Sequence, residues 1–248
     1  MKDSVTRFNE RSTDYARYRP SYPGAAIEAV LDGLGDPATL TVADVGAGTG
    51  ISARLLAERG AHVIGFEPNA EMRAVAANAG LDIREARADA LGLSDASVDV
   101  VASFQAFHWF ANAASVAEFN RVLRPGGRIA LVWNERDDND PFTRAFGEIV
   151  DRFPDRMALA GHRNGSNLVS QLLVDGGLEN VRRLRFAGSQ LLDYEALMGR
   201  VRSTTYAPRD GPAHAQLIEN LNRTFERYAQ DGEVTLIYRV DVYLGEKA

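Results

Sequence analysis

Asp44-Val45-Gly46-Ala47-Gly48-Thr49-Gly50 closes a short β-branched run, Leu40 to Val45, and opens a helical pattern from about Thr49 to Arg59 that stops at Gly60. A strand entering a glycine-rich turn at a helix start leaves backbone N–H groups free and lets a ligand approach the main chain closely. Downstream the alternation repeats. His62 to Phe66 reads as a second strand, Pro68 opens a second helix through about Ala79, Asp82 to Arg87 reads as a third strand and Val98 to Phe104 as a fourth. Ala113 to Leu123 is helical and is stopped by Pro125-Gly126-Gly127, and Arg128 to Trp133 forms a fifth strand. Strands alternating with helices predict a parallel sheet covered on both faces.

Past Trp133 the periodicity loosens. Pro141 to Phe153 reads as a helix, residues 154 to 167 as a loop rich in Gly, Pro and Asn, and Leu168 to Asp175 as a helix closed by Gly176-Gly177. Val181 to Phe186 and Val234 to Leu244 read as strands, the latter alternating at period two. Between them lie helical stretches at about Asp193 to Thr204 and Pro212 to Ala229. The expected fold is α/β: a Rossmann-like, doubly wound seven-strand sheet, mostly parallel, with an antiparallel last strand and a helical insertion before it. The 248 residues suit a single domain. It divides into an N-terminal helical cap (1–39), a cofactor-binding core (40–135) and a C-terminal part (136–248). The insertion, about 189–232, sits where a lid would be useful.

Composition narrows the chemistry. The chain has 28 basic and 34 acidic residues, a net charge of -6. An acidic surface repels phosphate backbones, so no nucleic-acid partner is expected. The run Arg182-Arg183-Leu184-Arg185 is a local exception that reads as a solvated strand face. There is no cysteine, which excludes disulfides, thiolate zinc sites and thiol nucleophiles. His62, His108, His162 and His214 have no metal-ligand spacing, and no serine sits in a G-x-S-x-G elbow. The charges at Lys2, Asp3, Arg7, Glu10, Arg11, Asp14, Arg17 and Arg19 argue against a secretory signal, and no apolar stretch is long enough to span a bilayer. The expectation is a cytoplasmic protein without a membrane partner, monomeric or homodimeric, acting on a small molecule.

Two ligand classes use a glycine turn of this kind. Dinucleotide sites follow G-x-G-x-x-G, but Gly46, Gly48 and Gly50 give G-x-G-x-G, and Ile51 holds the third dinucleotide position. Asp44 directly before the turn would repel a pyrophosphate yet tolerate a cationic amino acid tail or a sulfonium. Glu67 ends the second strand, where a carboxylate accepts from both hydroxyls of a ribose. In Ala88-Asp89-Ala90-Leu91, at the carboxyl edge of the sheet, Asp89 can accept from an adenine amino group while the small apolar residues flank the ring.

Asp44 to Gly50, Glu67, Ala88-Asp89-Ala90, Asp99 and Leu123-Arg124-Pro125-Gly126-Gly127 together resemble the class I S-adenosylmethionine-dependent methyltransferases, in the branch called methyltransferase type 11. Within it, Tyr18-Arg19-Pro20-Ser21-Tyr22-Pro23 and His108-Trp109-Phe110 are similar to the trans-aconitate methyltransferase kind. The resemblance covers roughly residues 10 to 135. It implies S-adenosyl-L-methionine as cofactor, held by Asp44, Gly46, Ala47, Gly48, Thr49 and Gly50 of the turn. Glu67, Pro68 and Met72 after the second strand, Asp89 and Ala90 after the third, and Gln105 after the fourth complete the cofactor site. It also implies an N-terminal arm folded over that site, with Arg19 reaching a carboxylate of cofactor or substrate.

Methyl transfer from a sulfonium is an in-line displacement that gains from positioning and exclusion of water. A base is needed only when the acceptor is protonated. His108, after the fourth strand, is the candidate general base or orienting hydrogen-bond partner. Tyr18, Tyr22, His108, Trp109 and Tyr206 are the candidate substrate contacts. Phe107 and Phe110 would add aromatic walls, at least one of Phe107, Trp109 and Phe110 being plain core. Arg200, Arg202, Ser203, Thr204 and Thr205 either line the acceptor pocket or sit on a solvated helix face. The fourth strand ends in Ser103-Phe104-Gln105-Ala106, without the Pro-Pro-aromatic signature of enzymes that methylate base amines. Two other readings stand: a nicotinamide-dependent oxidoreductase, and a non-catalytic cofactor binder on the same fold.

Overall fold

Short apolar segments rich in Val, Ile and Phe, each the length of one pass across a sheet, form the centre of the molecule. The computed structural model describes residues 12–152, 166–204 and 207–248. β1 (Thr41–Val45), β2 (His62–Phe66), β3 (Ile83–Arg84), β4 (Val98–Phe104) and β5 (Leu123–Arg136) run parallel. β6 (Leu178–Asp193) is attached through β7 (Glu233–Lys247), which is antiparallel to both of its neighbours. The sheet order is β3-β2-β1-β4-β5-β7-β6. This is the expected doubly wound sheet with its antiparallel last strand. The chain winds outward from β1 to β3 and then crosses back to β4, so the order reverses between β1 and β4, where open α/β sheets leave a crevice at the strands' carboxyl ends.

The helices are α1 (Ser12–Tyr18), α2 (Gly24–Leu31), α3 (Ile51–Ala57), α4 (Ala70–Asn78), α5 (Ala113–Val122), α6 (Pro141–Val150), α7 (Ser166–Asp175), α8 (Tyr194–Arg202) and α9 (Gly211–Tyr228). Side-chain caps start several of them: Asn69, Asn112, Asp140 and Asp193 each accept from a backbone N–H three residues on. One face of the sheet packs Ile27, Leu56, Phe146, Leu197 and Leu221 from α2, α3, α6, α8 and α9. The other packs Phe119 of α5 and Leu173 of α7 against Ile129 and Leu131.

Three expectations are corrected. The third strand is two residues long, because β3 is the outer edge, pairing only with Gly65 and Phe66, and the chain then leaves the sheet to form the Arg87–Ala90 bridge. Pro125-Gly126-Gly127 does not stop α5. The helix ends at Val122 with Leu123 already extended, and the Pro-Gly-Gly run bulges out of β5 between the Val98/Leu123 and Val100/Arg128 pairs. Gly127 is needed there, since a Cβ would lie 2.8 Å from the carbonyl oxygens of Arg124 and Asp99. Strands β6 and β7 are far longer than the expected 181–186 and 234–244, each supported by the other along its length. Most of the expected 154–167 loop lies outside the described residues. The helical insertion, α8 and α9, lies between β6 and β7 as expected.

Candidate active site

β1 delivers Asp44 and Val45, both buried, to the point where strand order reverses. Gly46, Gly48 and Gly50 have φ of 75°, 58° and 84°, a region that side chains strain to enter. The N–H groups of Gly46 and Ala47 both donate to the Phe66 carbonyl, at 2.8 and 3.1 Å, and that of Gly50 donates to Ala47 at 2.9 Å. Gly48 N–H donates to Glu67 Oε2 at 3.1 Å. The expectation of free donors is thereby corrected at Gly46, Ala47, Gly48 and Gly50, whose N–H groups go to β2, Glu67 and the turn itself. A pyrophosphate cradle requires such donors unspent, which counts against the dinucleotide reading.

What the turn organises instead is Glu67. Oε2 accepts from Gly48, and Oε1 accepts from the Asn69 N–H at 2.9 Å. One backbone donor on each oxygen fixes the carboxylate plane and leaves each oxygen further accepting capacity. Burial pushes the Glu67 pKa up, while the Asn69 and Gly48 N–H groups and the Arg73 guanidinium oppose that.

Glu67 borders a cleft of about 270 Å³. Gly46, Gly48, Pro68 and Met72 lie on its β1–β2 side, Asp89 on its outer side, and Gln105 and Trp109 at the end of β4. Eight of the expected site residues are thus gathered around one space. Gln105 holds a left-handed φ of 52°, secured by its N–H to Val132 and its side-chain amide to Asn134 O at 2.8 and 2.9 Å. Strained backbone of this kind persists where surrounding bonds enforce it. Asp89 accepts from Arg87 Nε at 3.1 Å, which holds its carboxyl below the usual range. Ala90 does not border the cleft; the small apolar flank comes from Ala86 and Ala88. Asn69, Asn112 and Ser115 border it without having been anticipated, although Asn before a helical run was a legible cap signal for the first two.

Asp44 lies beneath the turn, and Ala47, Thr49 and Gly50 shape the turn without bordering the cleft. Ser52 Oγ donates to Asp44 Oδ2 at 2.5 Å, and Oδ1 has no partner among the described residues. Burial pushes the Asp44 pKa to about 7, with the Ser52 hydrogen bond opposing and the Glu67 charge adding to the rise. The pinned Glu67 carboxylate, with accepting capacity left on both oxygens, fits a ligand with a ribose, while Asp44 is fully buried and does not border the cleft.

Residues 43–131 match the family described as a methyltransferase domain. An uncharacterised methyltransferase of Mycobacterium tuberculosis is 35% identical over 215 residues, covering 83% of this chain and 79% of the relative. A methyltransferase-like protein of Schizosaccharomyces pombe is 30% identical over 252 residues, covering 97% and 95%. The chain belongs to the S-adenosylmethionine-dependent methyltransferases. Solved structures share its fold. The YcgJ protein of Bacillus subtilis superposes with a TM-score of 0.57 at 19% identity, covering 91% of this chain and 99% of that one. A phosphoethanolamine N-methyltransferase of Haemonchus contortus, solved with S-adenosyl-L-methionine, gives 0.59 at 15%, covering 99% and 60%.

Around the cleft the methyltransferase places the remaining expected residues differently. Tyr18 is buried against α8, where Gly199 is obligatory because a Cβ would lie 2.4 Å from the ring, and its hydroxyl donates to Glu195 at 3.3 Å. Its role is to dock α1, and it does not border the cleft. Arg19 donates to Ser203 O at 3.2 Å and stacks over the Tyr15 ring, 4.6 Å from its centroid. Tyr15, not Arg19, reaches the cleft. Tyr22 packs edge-on against Phe104 with centroids 4.8 Å apart, and burial, with Tyr15 and Asp44 nearby, pushes its phenol well above the usual range. Phe107 is core, whereas Trp109 and Phe110 are walls. His108 sits beside Trp109, centroids 5.0 Å apart, and its Nδ1 accepts from Trp133 Nε1. Ser203 and Thr204 are buried with their hydroxyls bonded to Arg200 and Val201 carbonyls, and Arg202 pairs with Asp14 at 3.5 Å, so these act in holding the insertion. Tyr206 and Thr205 lie outside the described residues.

Proposed function

We propose that this methyltransferase passes the methyl group of S-adenosylmethionine to a small-molecule acceptor held at the β4 end of the cleft, beside Gln105 and Trp109. The observation that carries the reading is Glu67, a nearly buried carboxylate oriented by two backbone donors at the edge of that cleft. When bound, the cofactor supplies an electrophilic methyl on a positively charged sulfur. Glu67 would bind the ribose hydroxyls, Asp89 would accept from the adenine amine, and Met72, Ala86 and Ala88 would flank the adenine. Trp109 and Phe110 would keep water from the reacting atoms. A narrow aromatic-walled space and a net charge of -6 favour a small acceptor over a nucleic acid. No helix among the described residues is long and apolar enough to cross a membrane.

Calorimetry with S-adenosylmethionine tests the site. Two hydrogen bonds to a charged acceptor are together worth about 3 kcal/mol, so Glu67→Ala should weaken binding about 100-fold. Wild-type affinity in that variant would remove Glu67 from the site. Release of S-adenosylhomocysteine across a panel of small acids, phenols and amines tests the acceptor class. A protein that binds the cofactor and turns over none of them would refute it.

A further inference from the structure

We infer that Arg73, on α4, is the positioning residue for the cofactor-binding carboxylate: from outside the cleft it ties the peptide that follows Glu67 to the adenine wall after β3. The inference rests on the site proposed above and adds a residue that the glycine turn and the strand-end motifs do not contain. Glu67 stands one residue past β2, whose ladder with β1 ends at Phe66. Its N–H still reaches the sheet, donating to Arg84 O at 3.0 Å. Its carbonyl accepts from Arg73 Nη1 at 2.8 Å. The other terminal nitrogen, Arg73 Nη2, meets Glu85 Oε2 at 2.6 Å, one residue beyond β3. A planar guanidinium holds two such partners at a set separation. Glu85 leads directly into Ala86, Ala88 and Asp89, which border the cleft, whereas Arg73 and Glu85 do not.

Peptide planarity makes the carbonyl contact consequential. Fixing the Glu67 carbonyl fixes the peptide plane after it, and with it the course of the chain into Pro68 and Asn69. The Asn69 N–H is one of the two backbone donors on the Glu67 carboxylate, at 2.9 Å from Oε1. Without Arg73 that peptide is free to turn and the donor moves off the carboxylate. The Gly48 N–H comes from the β1 turn and stays on Oε2. Loss of Arg73 therefore loosens Glu67 without displacing it. The Glu85 side chain is 74% exposed, so its pairing orients the guanidinium and adds little energy. The cation also opposes the rise that burial imposes on the Glu67 pKa, which favours the ionised, doubly accepting form.

A double-mutant cycle read by calorimetry with S-adenosylmethionine tests the role. Arg73→Met should weaken binding about tenfold. In a Glu67→Ala background the same substitution should cost less than about twofold, because the group it positions is gone. Arg73→Lys keeps a cationic donor for the Glu67 carbonyl and should recover most of the loss, to within about threefold of wild type. Should Arg73→Met fail to fold, the cycle is read with Arg73→Lys, about threefold alone against no further loss beside Glu67→Ala. Wild-type affinity in Arg73→Met, or losses of equal size in both backgrounds, would overturn the positioning role and leave the site standing. Wild-type affinity in Glu67→Ala alone, or no binding by the wild type, would instead remove the proposed site and this role with it.

Discussion

Asp44 has a folded-state pKa of about 7 against an ordinary 3.8, so the folded chain binds more protons than the unfolded one between those values. Stability from this group is complete below 3.8 and is lost as pH rises to 7, the reverse of a salt-bridged acid. Asp44→Asn removes the dependence. Relative to wild type it should gain about 2–3 kcal/mol between pH 5 and pH 8 in urea unfolding, at about 1.4 kcal/mol per pKa unit. A gap between the two proteins that is the same at both pH values would contradict the burial argument. The acid itself was legible in the sequence. Its unpaired Oδ1 was not, because that depends on what the fold brings, or fails to bring, beneath the turn.

At the scale of elements, the β1 turn is shaped by the strand it abuts. A Cβ on Gly46 would lie 2.4 Å from Ala106 Cβ at the end of β4, and its φ is 75°. Gly46→Ala combines a left-handed backbone penalty with overpacking, a cost of about 2–4 kcal/mol in denaturant unfolding. Gly48→Ala, whose Cβ would meet only the flexible Met72 Sδ at 3.4 Å, should cost about half as much. Equal losses in the two variants would show that close approach to β4 is not what demands glycine. The same contrast explains what could be read in advance. Period and turn chemistry marked β1, β2 and β4 within a residue or so. The two-residue β3 and the Pro-Gly-Gly bulge of β5 escaped, since edge position and cross-strand register decide them.

For the whole molecule, Glu246 on β7 binds three parts of the sheet. It accepts from Asn180 at 2.8 Å and Arg182 at 2.9 Å on β6, and from Arg128 at 2.9 Å on β5. The Asn180 amide, then the Arg182 and Arg128 guanidiniums, hold its pKa down to about 2, against an ordinary 4.5. The stabilisation is present above 4.5 and is lost as pH falls toward 2. Glu246→Gln should be the less stable protein at pH 7, with the gap closing as acid is added, monitored by tryptophan fluorescence. A gap that persists unchanged to pH 2 would mean the charge contributes nothing.

The sequence by itself determined the winding of the sheet, the glycine turn and the carboxylate at the end of β2, because each is written in residues a few positions apart, where propensity, period and turn geometry act. Only the tertiary structure decided that the turn's N–H groups go to Phe66 and Glu67, that Tyr18 docks on Gly199 instead of facing the cleft, and that His108 meets Trp133. Those pairings join segments 19 to 181 positions apart, and core packing, which no local pattern encodes, selects among the many partners that distance allows.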